Sequence, residues 1–447
     1  MEFHTRPPTC TFRKELSMRR ILLLLSVAFV ALLAVSTMYA AKPEATAEKV
    51  SVTAVDWPWW RGTNRDGIAA ADQTPPLTWS DTENVIWKTP VPGAGHGSPT
   101  VVGDQIFLAT ADEEKQVQSV VCFDRLTGKQ LWQTDIHKGN FDKKGNNKSS
   151  QASSSVACDG KRLFINFLNG GAVYVTALTR DGKQIWQRKI SDFAQHQGFG
   201  ASPTVYESLV LVSADNKGGG AVAGLDRASG DIVWKEARPK TANYTSPIIL
   251  RASGRDQLVF TGCNLVSGFE PLTGKKLWEI DGATTECVTS TVTDGDVIIT
   301  SGGYPKNHMS AVKTDGSGKI VWENKVRVYV PSMVVKDGYL YAVIDDGIAM
   351  CWKCDSGKEV WKQRVGGTFS SSLVLVGDNI FATSETGKTI IFKADPTEFK
   401  SVGENQLGDE VFSSPTICGN QIYLRVANRV DGQRHETLYC LGAKDKK

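Results

Sequence analysis

The sequence predicts an all-β chain folded as an eight-bladed β-propeller with four-stranded blades. Three observations carry that prediction. A turn ending in tryptophan returns along most of the chain, strand-like runs flank it with no helical period, and an unpaired strand pattern precedes the first full repeat. The turn reads FDRLTGKQLW at 123–132. It returns as LTRDGKQIW, DRASGDIVW, EPLTGKKLW, TDGSGKIVW and KCDSGKEVW, ending at Trp186, Trp234, Trp278, Trp322 and Trp361. With Trp87 and Trp132 included, successive tryptophans stand 39 to 54 residues apart. A period of that length with only strand signals is that of propeller blades.

One unit shows the parts. SPTVVGDQIFLAT (98–110) is two β-rich runs around a Gly-Asp turn. SVVCFD (119–124) is a third run, LTGK a tight turn, and QLWQTDI (130–136) the outer strand. The glycine of each TG, DG or SG pair supplies the positive φ that such a hairpin needs. First strands begin near 98, 153, 202, 246, 289, 331, 370 and 414, which gives eight blades. The seventh is degenerate, because its outer region, DPTEFKSVGENQL, has no tryptophan. The eighth runs out of chain after three strands. ENVIWKTPV (83–91) has the outer-strand pattern and is expected to complete it, closing the ring and leaving no open sheet edge. Trp87, Trp132, Trp186, Trp234, Trp278, Trp322 and Trp361 are expected to be structural, each indole filling the wedge between blades that widens with radius.

Ahead of the propeller (83–443) two segments are expected. Residues 1–41 read as a signal peptide, with 1–17 an upstream extension and Met18 the better start: Met18-Arg19-Arg20, the apolar run Ile21–Val35, then small residues to Ala41. An uncleaved anchor is the alternative, although the run is short of the roughly 20 residues a span needs. Residues 42–82 form a tryptophan-rich segment, with Trp57, Trp59 and Trp60, expected to pack on the propeller's flank or across one end; a partner or sugar surface is the other reading. Residues 444–447 are a tail.

Charge excludes bulk electrostatic partners. Residues 1–41 carry a net +3, the same as the whole chain, so the remainder is neutral. No nucleic-acid partner is expected, and contact with a membrane only through a partner or an uncleaved anchor. Eight cysteines remain beyond Cys10. Cys122, Cys351 and Cys440 share one register and read as core thiols. Cys351 and Cys354 (CWKC) fall on a strand, where positions three apart face opposite sides, which argues against a redox pair. Cys263 and Cys287 are placed to approach each other between neighbouring repeats. The six histidines show no metal-ligand spacing, Asp345-Asp346-Gly347 reads as a hairpin turn, and GGGAVAG (218–224) as another rather than a nucleotide cradle. No catalytic residue and no metal ligand is identified.

The D-x-x-T-G-K-x-x-W pattern, well matched at 123–132 and 270–278, resembles that of the quinoprotein family of PQQ-like repeat propellers, over about 84–443. The resemblance implies an eight-bladed ring whose tryptophans dock neighbouring blades. One branch comprises dehydrogenases that bind pyrroloquinoline quinone (PQQ) and calcium on the axis, with an aspartate base and a disulfide of adjacent cysteines. Another is the BamB lipoprotein, which helps assemble outer-membrane proteins. WPWWRGTNRDG (57–67) is similar to exported PQQ-like repeat proteins of planctomycete-type bacteria. This chain has no Cys-Cys pair and little room for the insertions that build a dehydrogenase site.

Propellers bind at the axis, so the loops entering the first strands are the candidate site. They bring His96, Phe199, Tyr244, Glu286, Tyr329, Phe369 and Phe412 to the channel mouth. Such a set either clamps a flat ligand or peptide or plugs the channel by packing on itself. The loop 137–155 is long, polar and basic, a solvated loop or a contact surface. The leading expectation is a periplasmic or secreted, non-catalytic scaffold with a protein or peptide partner in the cell envelope, BamB-like in outer-membrane protein assembly, and without a cofactor. The alternatives are a PQQ- and calcium-dependent dehydrogenase of alcohols or sugars, and a carbohydrate- or peptide-binding module.

Overall fold

Alternating apolar residues and glycine-centred turns form strands and nothing else: the computed structural model describes residues 1–2, 48–143 and 145–443, and these contain no helix. The expected apolar leader and the tail at 444–447 lie outside the described residues. The chain divides after Glu48, and the unit from Lys49 onward holds the whole propeller. Its strands form eight four-stranded antiparallel sheets. In blades one to seven the four strands follow one another in sequence, with the first innermost and the fourth outermost. Blade eight takes its outer strand from the other end of the chain. Val85–Val91 pairs with Gln433–Leu441, setting Trp87 beside Cys440.

The outer-strand tryptophans tie each blade to the next. The Trp87 indole N–H donates to Arg125 O (3.1 Å), Trp132 to Arg180 O (3.0 Å) and Trp186 to Arg227 O (3.2 Å). Trp234, Trp322 and Trp361 likewise reach Pro271, Cys354 and Asp395. Trp278 departs from the pattern and donates to Gln257 Oε1 within its own blade (2.7 Å). The ring lies on the next blade's turn glycine: a Cβ at Gly128 (φ +72°) would stand 2.5 Å from Trp87. The third-strand residue beside each tryptophan is small, namely Cys122, Ala177, Gly224, Gly268, Ala311, Cys351 and Cys440. Those cysteines are there because the indole leaves room for little else.

Blade seven has Gly403 at the tryptophan position and the bulkier Ile391 beside it. The missing indole arrives from the N-terminal segment. Trp79, buried at 4% exposure, stacks on Phe381 of that blade with centroids 6.4 Å apart and planes 13° apart. Its backbone N–H donates to Asn405 Oδ1 (2.8 Å), and Leu77 O accepts from Asn405 Nδ2 (3.0 Å).

The described cysteines beyond the leader are all buried and free. Cys263 and Cys287 do not bond. The Asn243 side chain contacts both neighbourhoods, donating to Asp215 and accepting from Cys287 N, while Cys263 Sγ faces Asp215 and Cys287 Sγ faces Thr284.

The tryptophan-rich segment crosses one end of the axis, and residues of WPWWRGTNRDG bond to blades one, two, three, five, six and seven. Trp57 exchanges backbone hydrogen bonds with Val101 of blade one, and Pro58 O accepts from Cys158 N of blade two. Arg65 Nε donates to Thr204 of blade three, with its guanidinium 4.5 Å from the Trp59 ring centroid. Trp60 donates to Ser290 Oγ of blade five (2.9 Å). Arg61 is 2% exposed and donates to Leu373 O and Met333 O of blades seven and six. Burial lowers its pKa to about 10. Gly67 O and Ala69 N then bracket Leu375.

Candidate functional site at the open end of the axis

Strand direction decides which groups share an end. Each first strand runs from the mouth towards the covered end. Loops into first strands and hairpins joining second to third strands therefore meet at the mouth. Serines at the first-strand starts hold the blades together there. The N–H of Ser98 donates to Ser155 Oγ (2.9 Å), Ser155 to Ser202, and Ser202 to Ser246. The chain resumes from Ser290 through Ser332, Ser372 and Ser414 to Ser98. Between Ser246 and Ser290 it is interrupted, and there the Ser290 hydroxyl receives the Trp60 indole.

Inside this ring lies a cavity of about 780 Å³. All seven residues expected at the mouth line it: His96, Phe199, Tyr244, Glu286, Tyr329, Phe369 and Phe412. They pack on their surroundings without filling it. His96 and Phe412 lie 4.3 Å apart between ring centroids. Phe199 meets Phe193 edge-on at 5.6 Å, and Phe369, 1% exposed, belongs to the core between blades six and seven. Trp60 lines the cavity from the covered end, so the space is a cup open at one side.

The wall residues carry three distinct carboxylate environments. Glu286, 4% exposed, has Oε1 3.3 Å from His196 Nε2, and Oε2 accepts from the Tyr329 hydroxyl at 3.5 Å. Asp345 Oδ2 accepts the Tyr329 N–H (2.9 Å), with Arg327 4.0 Å from Oδ1 and its guanidinium 5.1 Å from the Tyr329 ring centroid. Burial holds the Asp345 carboxyl above the usual range. Glu385 accepts from Lys148 (2.8 Å) and from Ser370 Oγ (2.6 Å). Burial, and then the Glu286 charge, push the Tyr244 and Tyr329 phenols well above their ordinary value.

Lys148 belongs to the long loop between blades one and two, yet its ion pair is with blade seven. Asn146 Nδ2 of the same loop donates to Gln197 O (2.9 Å), and Gln195 Nε2 donates to Lys143 O. The loop thus arches over part of the mouth. Sequence reasoning left Lys148, His196, Tyr304, Arg327, Asp345 and Glu385 out of the site. His196 and Arg327 stand two or three residues from a residue that was picked. Tyr304, Asp345 and Glu385 sit at second-to-third-strand hairpins, which strand alternation places at the same end. Asp345-Asp346-Gly347 is the expected turn, with Asp345 also facing the cavity.

The quinone and calcium of the family's dehydrogenases do not fit these residues. Calcium takes six to eight oxygen ligands and wants carboxylates gathered on one ion. Here Glu286, Asp345 and Glu385 sit on different blades with different partners, and among the described residues no group of three His, Cys, Asp or Glu is placed to hold a metal.

A family model described as outer membrane protein assembly factor BamB matches residues 116–363 and 306–399. The outer membrane protein assembly factor BamB of Yersinia pestis is 27% identical over 304 residues, covering 62% of this chain and 70% of that protein. Among solved structures, a europium-containing methanol dehydrogenase superposes with a TM-score of 0.66 at 13% identity, over 88% of this chain and 98% of that one. BamB from Moraxella catarrhalis superposes with a TM-score of 0.56 at 13% identity, over 81% and 98%. At such identities the structural likenesses speak for the fold alone.

Proposed function

The chain belongs to the BamB-type family of PQQ-like repeat propellers, and from that premise we propose that it is a non-catalytic binding protein of the cell envelope. Its partner is a protein or peptide, its role is BamB-like in outer-membrane protein assembly, and its compartment is the periplasm or the exterior. The charged start and apolar run at 18–35 support the compartment.

The observation that carries the reading is the way the cup uses its polar groups. They are dispersed among aromatic rings and engaged with different neighbours, as in a recognition surface. A reaction centre would converge them on one point. A dehydrogenase is disfavoured on that ground, and the sequence relationship to BamB proteins favours a binding role.

The test is a titration of the purified chain, by fluorescence anisotropy, with a labelled peptide that alternates aromatic and polar residues in the manner of an outer-membrane strand. Saturable binding that weakens in a Tyr329→Ala variant supports the reading. Stoichiometric uptake of PQQ with calcium in a parallel calorimetric titration, followed by dye-coupled oxidation of an alcohol or sugar, would overturn it.

A further inference from the structure

The three buried or partly buried carboxylates of the cup differ in what balances their charge. Glu385 has the Lys148 ammonium at 2.8 Å, and Asp345 has the Arg327 guanidinium at 4.0 Å. Glu286 is the exception. Among the described residues its sole ion-pair neighbour is His196, which is charged only when protonated. Its other contact is a phenol at 3.5 Å. An ionised carboxylate has about four acceptor sites, and the described residues engage this one through two long contacts. Burying it without a fixed counter-charge is costly, and a ligand that brings the charge removes that cost.

The surroundings suit a cation in a second, independent way. Tyr329 reaches Glu286 Oε2 with its hydroxyl, and the Tyr244 backbone is bonded to Cys287 beside Glu286, so both rings stand close enough for the carboxylate charge to act on their phenols. Aromatic faces attract ammonium and guanidinium groups, as Arg327 on Tyr329 already illustrates within this wall. Access is from the mouth, through a space far larger than one ammonium group.

We propose that the cup seats a protonated amine or guanidinium, carried by a lysine or arginine side chain of the bound peptide, on Glu286 against Tyr244 and Tyr329. This assignment rests on the reading of the cup as the partner-binding site and adds the chemistry it selects.

The experiment compares two capped pentapeptides, Gly-Phe-Lys-Phe-Gly and the same sequence with acetyl-lysine, by calorimetric titration of the full chain. Acetylation removes the charge and keeps the stem. The lysine peptide is expected to bind about tenfold more tightly or better, the size of one charge-assisted contact. In Glu286→Gln that preference is expected to vanish. Equal affinity of the two peptides for the wild-type chain overturns the cation seat while leaving the cup as a peptide site. Failure of both to bind overturns the cup reading as well. A preference that persists in Glu286→Gln moves the seat elsewhere. The wild-type comparison requires no variant, so it decides even if Glu286→Gln folds poorly.

Discussion

The two ends of the propeller axis, one covered and one open, are lined by different chemistry. At the covered end the contacts are largely to backbone. Val101 pairs with Trp57, Leu375 is bracketed by Gly67 and Ala69, and the buried Arg61 guanidinium is spread over carbonyls of two blades. At the mouth side chains take part in most contacts, and the two made by Glu286 are long, around an open space of about 780 Å³. Backbone contacts with buried rings fix one geometry and resist opening. Loosely paired side chains can be re-paired by a ligand. On the proposed reading, stability and recognition lie at opposite ends of the same strands, and a substitution at one end can be judged by its effect on the other.

The largest effect is expected from Trp79→Ala. The indole is 4% exposed and substitutes for the tryptophan that blade seven lacks, so its loss leaves a cavity over Gly403 and Phe381 and loosens residues 77–79. A destabilisation of about 3–5 kcal/mol is expected from the urea midpoint. Trp132→Ala, at a ring that is only partly buried, should cost less. If the order is reversed, Trp79 does not take the place of the missing outer-strand indole of blade seven.

Gly67→Ala probes the covered end directly. Gly67 has φ +79°, and a Cβ there would stand 2.5 Å from Arg61 Cζ, so strain and a displaced guanidinium combine. About 2 kcal/mol is expected in thermal unfolding. Peptide binding at the mouth should remain within about twofold of wild type. A large loss of binding with little loss of stability would mean that the covered end governs the cup.

Much of this was legible in the sequence because repetition is legible. The tryptophan spacing, the turn glycines and the orphan strand at 83–91 together specify eight blades and their closure. Alternating strand direction placed seven side chains at one mouth, where all of them are found. Other features were hidden for identifiable reasons. Trp79 has no repeat around it, so nothing in its neighbours marks it as the replacement for a missing indole. The second-to-third-strand hairpins carry Asp345 and Glu385 to the mouth, but their residues vary from blade to blade and mimic ordinary turns. Lys148 lies in a polar loop whose composition matches solvated chain. Its reach to blade seven is a property of the closed ring, where residues 237 apart in sequence meet.

On the mouth side the stability response should be to pH. His137 ends the outer strand of blade one, with ring centroids 5.2 Å from Tyr174 and 6.2 Å from Phe167, and burial lowers its pKa from 6.5 to about 4. The unfolded chain binds that proton near pH 6.5 and the folded chain only near pH 4. Stability from this site is therefore complete above about pH 6.5 and is lost as pH falls towards 4. In His137→Phe the decline over that window should shrink by about 1 kcal/mol, allowing for solvent at the ring edge. An unchanged slope of stability against pH would place the acid sensitivity in other groups.

The smallest stability effect and the most telling contrast come from Lys148→Ala. Its pair with Glu385 joins a half-exposed ammonium to a partly buried carboxylate across the mouth. Such pairs contribute about 0–1 kcal/mol, so the urea midpoint should hardly move. Binding should respond more. Without the tie the loop from blade one no longer spans towards blade seven, and the association rate of a peptide should rise by roughly threefold while the dissociation rate rises too. In 0.5 M salt the wild-type association rate should approach that of the variant, because screening weakens the same pair. A stability loss as large as that of Gly67→Ala would instead make the loop part of the fold, and the mouth would then be as rigidly built as the covered end.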